Sequence, residues 1–118
     1  MLLRLADDDP RPLYEQIASA IRAQVADGTI VAGDRLPAGR DLAAATGVTL
    51  QTVQRAYRTL ADEGTVSARV GRGTVVAADV DPDVTALIDQ VDRLIAHARA
   101  LGTDRTGLTR LLESRWNG

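Results

Sequence analysis

Residues 37–64 read PAGRDLAAATGVTLQTVQRAYRTLADEG, a short helical pattern, a glycine and a longer helical pattern. In the longer part, apolar side chains recur at spacings of three and four residues, as on one face of an α-helix: Val53, Ala56, Tyr57, Leu60 and Ala61. Gly47 can adopt the positive φ angle that a tight turn between two helices requires. The stretch therefore predicts a helix-turn-helix.

The opposite face of the longer helix carries long side chains that form hydrogen bonds: Gln51, Gln54, Arg55 and Arg58. No carboxylate lies between Leu42 and Ala61, so this face has no negative charge. Glutamine and arginine suit base edges and phosphates. We interpret the face as a recognition surface for nucleic acid, on a helix that Thr49 or Thr52 caps.

The residues before this stretch predict a further helix, from about Leu13 to Asp27, with Pro12 in its first turn and Gly28 after its end. Its apolar stripe, which we assign to the core, consists of Leu13, Ile17, Ile21 and Val25. The link from Thr29 to Pro37 predicts a brief extended segment and a loop, with Leu36 packed inward. The short second helix is predicted at about Gly39 to Thr46.

After Gly64 the period changes to two, which predicts a β-hairpin: Val66, Ala68 and Val70 alternate with Ser67 and Arg69, and Val75 and Val76 follow Gly71-Arg72-Gly73. Beside a helix-turn-helix, such a hairpin is a wing, and Arg72 at its tip suits the electronegative minor groove of DNA. The hairpin by itself favours the simpler interpretation of a surface turn with an exposed charge.

Asp81-Pro82-Asp83 is typical of a helix start. The helix that follows carries a heptad-like apolar stripe, widened by Ile88 and Ile95; the stripe consists of Val84, Leu87, Val91, Leu94, Ala98 and Leu101. This stripe either folds back on the first helix or pairs with a second copy of the chain, and we favour pairing. A last helix after Gly102 either closes the dimer interface or packs on the winged part; its apolar residues are Leu108, Leu111, Leu112 and Trp116.

The predicted fold class is mainly α with a small β-hairpin. An N-terminal winged helix-turn-helix, residues 1–78, is followed by two C-terminal helices that form a dimerisation tail, residues 79–118.

Composition excludes several classes of function. The 118 residues include no cysteine and one histidine, and the net charge is -2. We find no glycine-rich phosphate loop, carboxylate pair or metal-ligand spacing, so we predict no enzyme activity, no metal and no cofactor. His97 lies beside the apolar stripe, and we interpret it as a solvated or interface residue. No membrane span or export signal is predicted, which favours a cytoplasmic protein.

The motifs resemble the GntR family of bacterial transcription regulators. The resemblance covers residues 10–77 and is carried by Pro12-Leu-Tyr-Glu-Gln-Ile17, Gly33-Asp-Arg-Leu-Pro37, Arg40-Asp-Leu-Ala43, Thr52-Val-Gln-Arg-Ala-Tyr57, Leu60-Ala-Asp-Glu-Gly64 and Gly71-Arg-Gly-Thr-Val75. The short tail is similar to the YtrA subfamily, whose members dimerise through it. Two places depart from the pattern: Ala38 stands where many members have serine, and Leu50 and Gln51 stand where many have arginine or asparagine.

The resemblance implies that a set of residues faces DNA: Arg40, Leu50, Gln51, Thr52, Gln54, Val70 and Gly71. To these the helical face adds Arg55 and Arg58, and the hairpin tip adds Arg72. The expected protein is a sequence-specific regulator of transcription. It binds a double-stranded DNA operator with inverted repeats as a homodimer, and its binding mostly represses. The alternative is a winged-helix module that binds another protein and no DNA. The sequence leaves open whether a small-molecule effector binds.

Overall fold

The computed structural model describes Leu3, Leu5 and residues 8–118. The other residues of the predicted winged domain's lead-in lie outside this description. The elements, in chain order, are α1 (Leu13–Ala26), α2 (Gly39–Thr46), α3 (Leu50–Asp62), β1 (Val66–Arg69), β2 (Gly73–Val76), α4 (Pro82–Ala100) and α5 (Arg105–Trp116). This order confirms the predicted fold class.

Side chains at the helix starts satisfy free backbone amides. The hydroxyl of Thr49 accepts a hydrogen bond from the amide of Thr52 at 3.2 Å, so Thr49 is the cap of α3. Asp81 caps α4 and Asp104 caps α5 in the same way. Between α2 and α3, Gly47 has a φ of 75°, which confirms the predicted left-handed turn.

The core forms where α1 packs on α3. The buried side chains of the two helices are Ile17, Ala18, Ile21 and Val25 from α1 and Val53, Ala56 and Leu60 from α3, joined by Leu36, Leu42, Val66 and Val76. Two expectations were wrong at the ends of the stripes, since Leu13 and Ala61 are exposed. Both lie near a helix terminus, where fewer neighbouring elements cover the stripe.

The hairpin forms a two-stranded antiparallel sheet. In β1 and β2, Val66 pairs with Val76, and Arg69 pairs with Gly73 next to the turn. The predicted extended segment before α2 forms a β-bridge between Arg35 and Val75. Val66 and Val76 are buried at the base of the hairpin. The predicted alternation of buried and exposed residues was wrong further out, where Ala68 and Val70 are exposed because no other described element covers the hairpin near its turn.

The tail helix α4 packs along α1. Thr85 is buried, while Ile88 and Ile95 are half-buried. Most of the predicted apolar stripe remains between 40% and 70% exposed: Val84, Leu87, Val91, Leu94 and Leu101. Of the two alternatives posed from the sequence, folding back on α1 is observed. Pairing with a second copy, the favoured alternative, stays a prediction that concerns the exposed part of the stripe. Helix α5 buries none of its residues, so it does not pack closely on the winged part.

A group of charged side chains holds α1, α3 and α4 together. Arg22 of α1 is 2% exposed and forms ion pairs with Glu63, Asp89 and Asp92 at 2.6, 3.2 and 3.1 Å. We call these four residues the Arg22 cluster. Because Glu63 is the C-cap residue of α3 and both aspartates belong to α4, one guanidinium connects three helices.

Asp89 receives hydrogen bonds from two arginines and a serine. Burial, the largest single influence, raises its pKa, but hydrogen bonds from Arg93, Ser19 and Arg22 together outweigh burial, so that the pKa lies below the ordinary value of 3.8. The negatively charged form of Asp89 therefore stabilises the folded chain.

Replacing Asp89 by asparagine should lower the free energy of unfolding at pH 7 by about 1–3 kcal/mol, because charge-assisted hydrogen bonds to a largely shielded carboxylate are lost. Since the folded pKa is depressed, the carboxylate contributes fully above pH 3.8 and the contribution disappears as pH falls through the folded pKa. Urea denaturation at pH 7 and at about pH 3 measures both effects, and the difference from wild type should narrow in acid.

Asp92→Asn is the matched control for this prediction. It removes the same charge from the same cluster, but the Asp92 side chain is 42% exposed against 13% for Asp89. Because solvent screens the Asp92 charge, Asp92→Asn should lower the free energy of unfolding by less than about 1 kcal/mol. Equal losses for the two variants would contradict the assignment.

Candidate nucleic-acid interface

Three arginines from three parts of the fold line one open groove of about 830 Å³ between the start of α2, the exposed face of α3 and β2. They are Arg35, Arg40 and Arg58, and Gln54 lies with them. We call this the arginine groove. Within the described part of the chain, none of the three arginines forms an ion pair with a carboxylate. Asp41 also lines the groove, so three guanidinium groups stand against one carboxylate and the groove keeps a net positive charge that an anionic ligand can neutralise.

The start of α2 adds free backbone amides to this groove. Its N-cap residue, Ala38, supplies no side-chain hydrogen bond, and Ala38, Gly39 and Arg40 all line the groove. The first amides of a helix lack intrahelical partners and lie at the positive end of the helix dipole. Such an end suits phosphate groups.

Close packing at Gly39 positions the two helices that form the groove. A Cβ atom at Gly39 would lie 3.0 Å from Cδ1 of Leu50, the first residue of α3. Leu50 is half-buried as a result, so this predicted DNA-facing residue is partly used to pack α3 against α2. The hydroxyl of Tyr57 donates a hydrogen bond to the carbonyl of Pro37 at 2.7 Å and ties α3 to the segment that leads into α2.

The other predicted residues of α3 lie on a second flank. Gln51, Thr52 and Arg55 border a shallow depression that Tyr14 also lines. The guanidinium carbon of Arg55 lies 3.8 Å from the centroid of the Tyr14 ring, which is a cation–π contact. The predicted recognition face is therefore divided: Gln54 and Arg58 belong to the arginine groove, while Arg55 is held over Tyr14.

The wing tip lies apart from both flanks. Val70, Gly71 and Arg72 are exposed at the turn between β1 and β2, and Gly71 has a φ of 78°. The amide of Arg72 donates to the carbonyl of Arg69 at 3.0 Å and closes the turn. None of the three tip residues lines the arginine groove. The tip thus offers a separate point of contact.

Arg35 and Tyr14 belong to the site but were not predicted. Arg35 enters it because the segment before α2 pairs with β2: the amide of Leu36 donates to the carbonyl of Thr74 at 2.8 Å. The Arg35 guanidinium lies 3.6 Å from the position that a Cβ atom on Gly73 would occupy. The sequence predicted a brief extended segment here, which is a weak signal for strand pairing. Nothing in the sequence indicated that β2 would be its partner.

Other classes of site are not seen in the described residues. No group of three or more histidine, cysteine, aspartate or glutamate side chains there could hold a metal ion. Among the described helices, none has the length and apolarity needed to cross a membrane.

Comparison with known proteins relates this geometry to a family. Residues 13–76 match the model described as Bacterial regulatory proteins, gntR family. The HTH-type transcriptional repressor YtrA of Bacillus subtilis is 33% identical over 104 residues, which cover 81% of this chain and 80% of YtrA. The structure of YtrA from Sulfolobus acidocaldarius, a GntR-family transcription factor, is similar with a TM-score of 0.63 and 33% identity, covering 81% of this chain and 99% of its own.

A further solved structure is that of AraR(DBD) in complex with operator ORX1. It is similar with a TM-score of 0.58 and 26% identity, and the match covers 64% of this chain and 96% of the AraR chain. The shared part corresponds to the winged portion in size.

Tyr57→Phe should lower the free energy of unfolding by about 1 kcal/mol, because the carbonyl of Pro37 loses its hydrogen bond in a half-buried place. Burial raises the pKa of Tyr57 to about 12, so the hydroxyl remains a donor throughout the neutral range and this loss should not vary between pH 6 and 9. Thermal or urea unfolding measures it. Tyr14→Phe is the control, since the Tyr14 hydroxyl donates only to neighbouring Glu15, and a smaller change is expected.

Proposed function

This chain belongs to the GntR family of bacterial regulatory proteins, in its YtrA-like subfamily, and we propose that it is a sequence-specific repressor that binds operator DNA as a homodimer. The observation that carries the proposal is the arginine groove. Three exposed arginines without carboxylate partners converge beside α3 in a chain whose net charge is -2. A local concentration of positive charge in an acidic chain favours a specific anionic partner over general attraction to nucleic acid.

The proposed interface contacts both the phosphates and the bases of DNA. Arg40 and the open start of α2 are suited to a phosphate, because both a guanidinium and free helix amides donate hydrogen bonds to it. With α3 in the major groove, Gln51 and Gln54 in its first turns reach base edges, where glutamine pairs well with adenine. Arg58 and Arg35 border the same groove and extend the phosphate contact.

Arg55 and the wing complete the proposed interface. The Tyr14 ring holds the Arg55 guanidinium in place, so less side-chain entropy is lost when it meets DNA. Arg72 projects from the turn of the hairpin beside two glycines, and the wing tip with Val70 and Gly71 would enter the flanking minor groove.

A second copy of the chain is the proposed occupant of the exposed stripe on α4. The stripe repeats at heptad spacing and continues into an apolar groove between α4 and α5, lined by Val91, Leu94, Leu108 and Leu112 among others. Two copies joined there would carry two α3 helices to successive major grooves about 34 Å apart, which requires an inverted repeat. Three stripe residues are less exposed than the rest and lie beneath this surface: Ile88 and Ile95 are half-buried, and Ala98 is buried.

Relatives support the direction of regulation. YtrA of Bacillus subtilis is named a repressor, and AraR(DBD) was solved with an operator. Repression by occlusion of a promoter and a cytoplasmic location are part of the proposal. The family and these relatives are regulators of transcription, not enzymes, in agreement with the prediction of no enzyme activity.

The rival function is a winged-helix module that binds another protein. Salt dependence separates the two. Each phosphate contact releases condensed counterions, so the logarithm of DNA affinity falls by about 0.9 for each contact and tenfold rise in salt. A contact between proteins through the α4 stripe has no such requirement.

Arg40→Ala should weaken binding to the cognate operator by about tenfold or more and reduce the salt slope by about one, because one phosphate contact is lost. Fluorescence anisotropy at two salt concentrations measures both quantities. Arg110→Ala is the matched control: it removes the same charge from the exposed surface of α5, and it should leave affinity nearly unchanged. If the two variants behaved alike, the groove would not be the DNA contact.

Leu87→Lys should convert the dimer to a monomer and lower operator affinity by at least about tenfold, since a charge would be buried in the apolar seam. Sedimentation or light scattering gives the mass, and anisotropy gives the affinity. Val31→Lys places the same charge on another exposed apolar residue, in the loop after α1, and should change neither. A Leu87→Lys protein that remained dimeric would exclude this stripe as the interface.

A further inference from the structure

The Arg22 cluster connects the helix that would read DNA to the helix that would join two copies. Arg22 donates from Nε and Nη2 to both carboxylate oxygens of Glu63, at 2.9 and 2.6 Å, and from Nη1 to Asp89 at 3.2 Å. Glu63 ends α3, and Asp89 lies in the middle of α4. The cluster is thus a direct polar link between the recognition helix and the tail.

The hydrogen bonds of the Arg22 cluster fix the relative orientation of the side chains as well as their separation. A guanidinium is planar, and its paired donors match a carboxylate edge in one orientation. Both oxygens of Glu63 are engaged, so this carboxylate cannot rotate freely about Arg22. Asp89 is oriented in turn by Ser19, whose hydroxyl donates to it at 2.7 Å, and by Arg93 at 2.9 Å.

Apolar packing alone between α1 and α4 would hold their angle less firmly. On α4, Thr85 is buried and the half-buried Ile95 lies beside Ala18 and Arg22 of α1, while the larger part of the apolar stripe is exposed. Apolar contact is non-directional, whereas the paired donors of a guanidinium match a carboxylate in one orientation. The polar link therefore supplies the directional part of this interface.

We propose that the Arg22 cluster fixes the angle between the recognition helix and the dimerising tail, and thereby determines the spacing of operator half-sites that the dimer accepts. This inference rests on the proposed function. Each base pair added between half-sites moves one of them by about 3.4 Å and rotates it by about 35°. A dimer with rigidly held heads rejects such changes, while one with loosely held heads tolerates them. Arg22 is in this sense a positioning residue that does not touch DNA.

The experiment uses the full chain and a library of random duplex DNA. Selection with the wild-type protein yields the half-site sequence and its preferred spacing. Duplexes are then made with the half-sites one or two base pairs closer or further apart, together with a duplex that carries a single half-site. Affinity is measured for wild type, Arg22→Lys and Glu63→Gln, with circular dichroism to show that each variant is folded.

Arg22→Lys keeps the charge but loses the paired geometry, and Glu63→Gln keeps the shape but loses the ion pair. We expect wild type to prefer its best spacing by roughly tenfold or more over spacings changed by one or two base pairs. In both variants this ratio should fall to within about threefold, while affinity for the single half-site stays within about twofold. Ile21→Val is the control, because it weakens the α1 core without touching the cluster, and its spacing ratio should equal that of wild type.

The outcomes separate this inference from the proposed function. Unchanged spacing ratios in the two folded variants would overturn the inference and leave DNA binding intact. If the wild-type protein bound the selected half-sites equally at every spacing, the inference would likewise be overturned and DNA binding would stand. If wild type enriched no sequence from the library, the proposed function itself would fail, and the inference with it. If Ile21→Val lost the spacing preference to the same extent, the cause would be reduced stability, and the role of Arg22 would also be overturned.

Discussion

The packing of α1 against α3 is the contact on which the rest of the structure depends. Each helix has one apolar stripe, and the two stripes meet at Ile17, Ile21, Val53 and Leu60, all of which are fully buried. Burying a side chain of this kind contributes about 1.5–3 kcal/mol. Because the apolar stripe of α3 is covered by α1, together with α2 and β1, the polar face of α3 points to solvent. The exposure of a candidate recognition surface is therefore a consequence of core formation.

The same contact explains how an acidic chain can present a basic groove. Arg22 and Glu63 lie at the edge of the α1–α3 packing and satisfy each other, so their charges are used inside the fold. The arginines beside α3 have no such partner among the described ion pairs and remain available. Net charge alone therefore does not identify this protein's partner. What matters is which charges are already paired, and that depends on the neighbours of each side chain.

Helix α4 carries charged contacts on one side and an open apolar stripe on another. Its polar side meets α1 through Asp89 and Asp92, with Thr85 buried, while its apolar side remains open. A helix whose apolar stripe faces away from its own domain gains little from folding alone, and this is the arrangement expected if a second copy covers the stripe. The ion pairs to Arg22 then hold α4 in a defined direction on α1.

Local sequence determined the elements of this protein. The apolar periods, the helix start at Asp81 and the turn at Gly47 predicted the five helices, because these signals act over a few positions of the chain. The bounds predicted for α1 and α2 agree with the structure to within one residue, and of the two caps considered for α3 the structure has Thr49. The residues of the groove were predicted in part, as Arg40, Gln54 and Arg58. The tertiary structure alone brought Arg35 beside them through its bridge to Val75, separated Arg55 onto Tyr14, half-buried Leu50 against Gly39 and joined Arg22 to Glu63 and Asp89. These contacts join residues distant in the chain, and their geometry exists only once the helices have packed, so no local pattern records it.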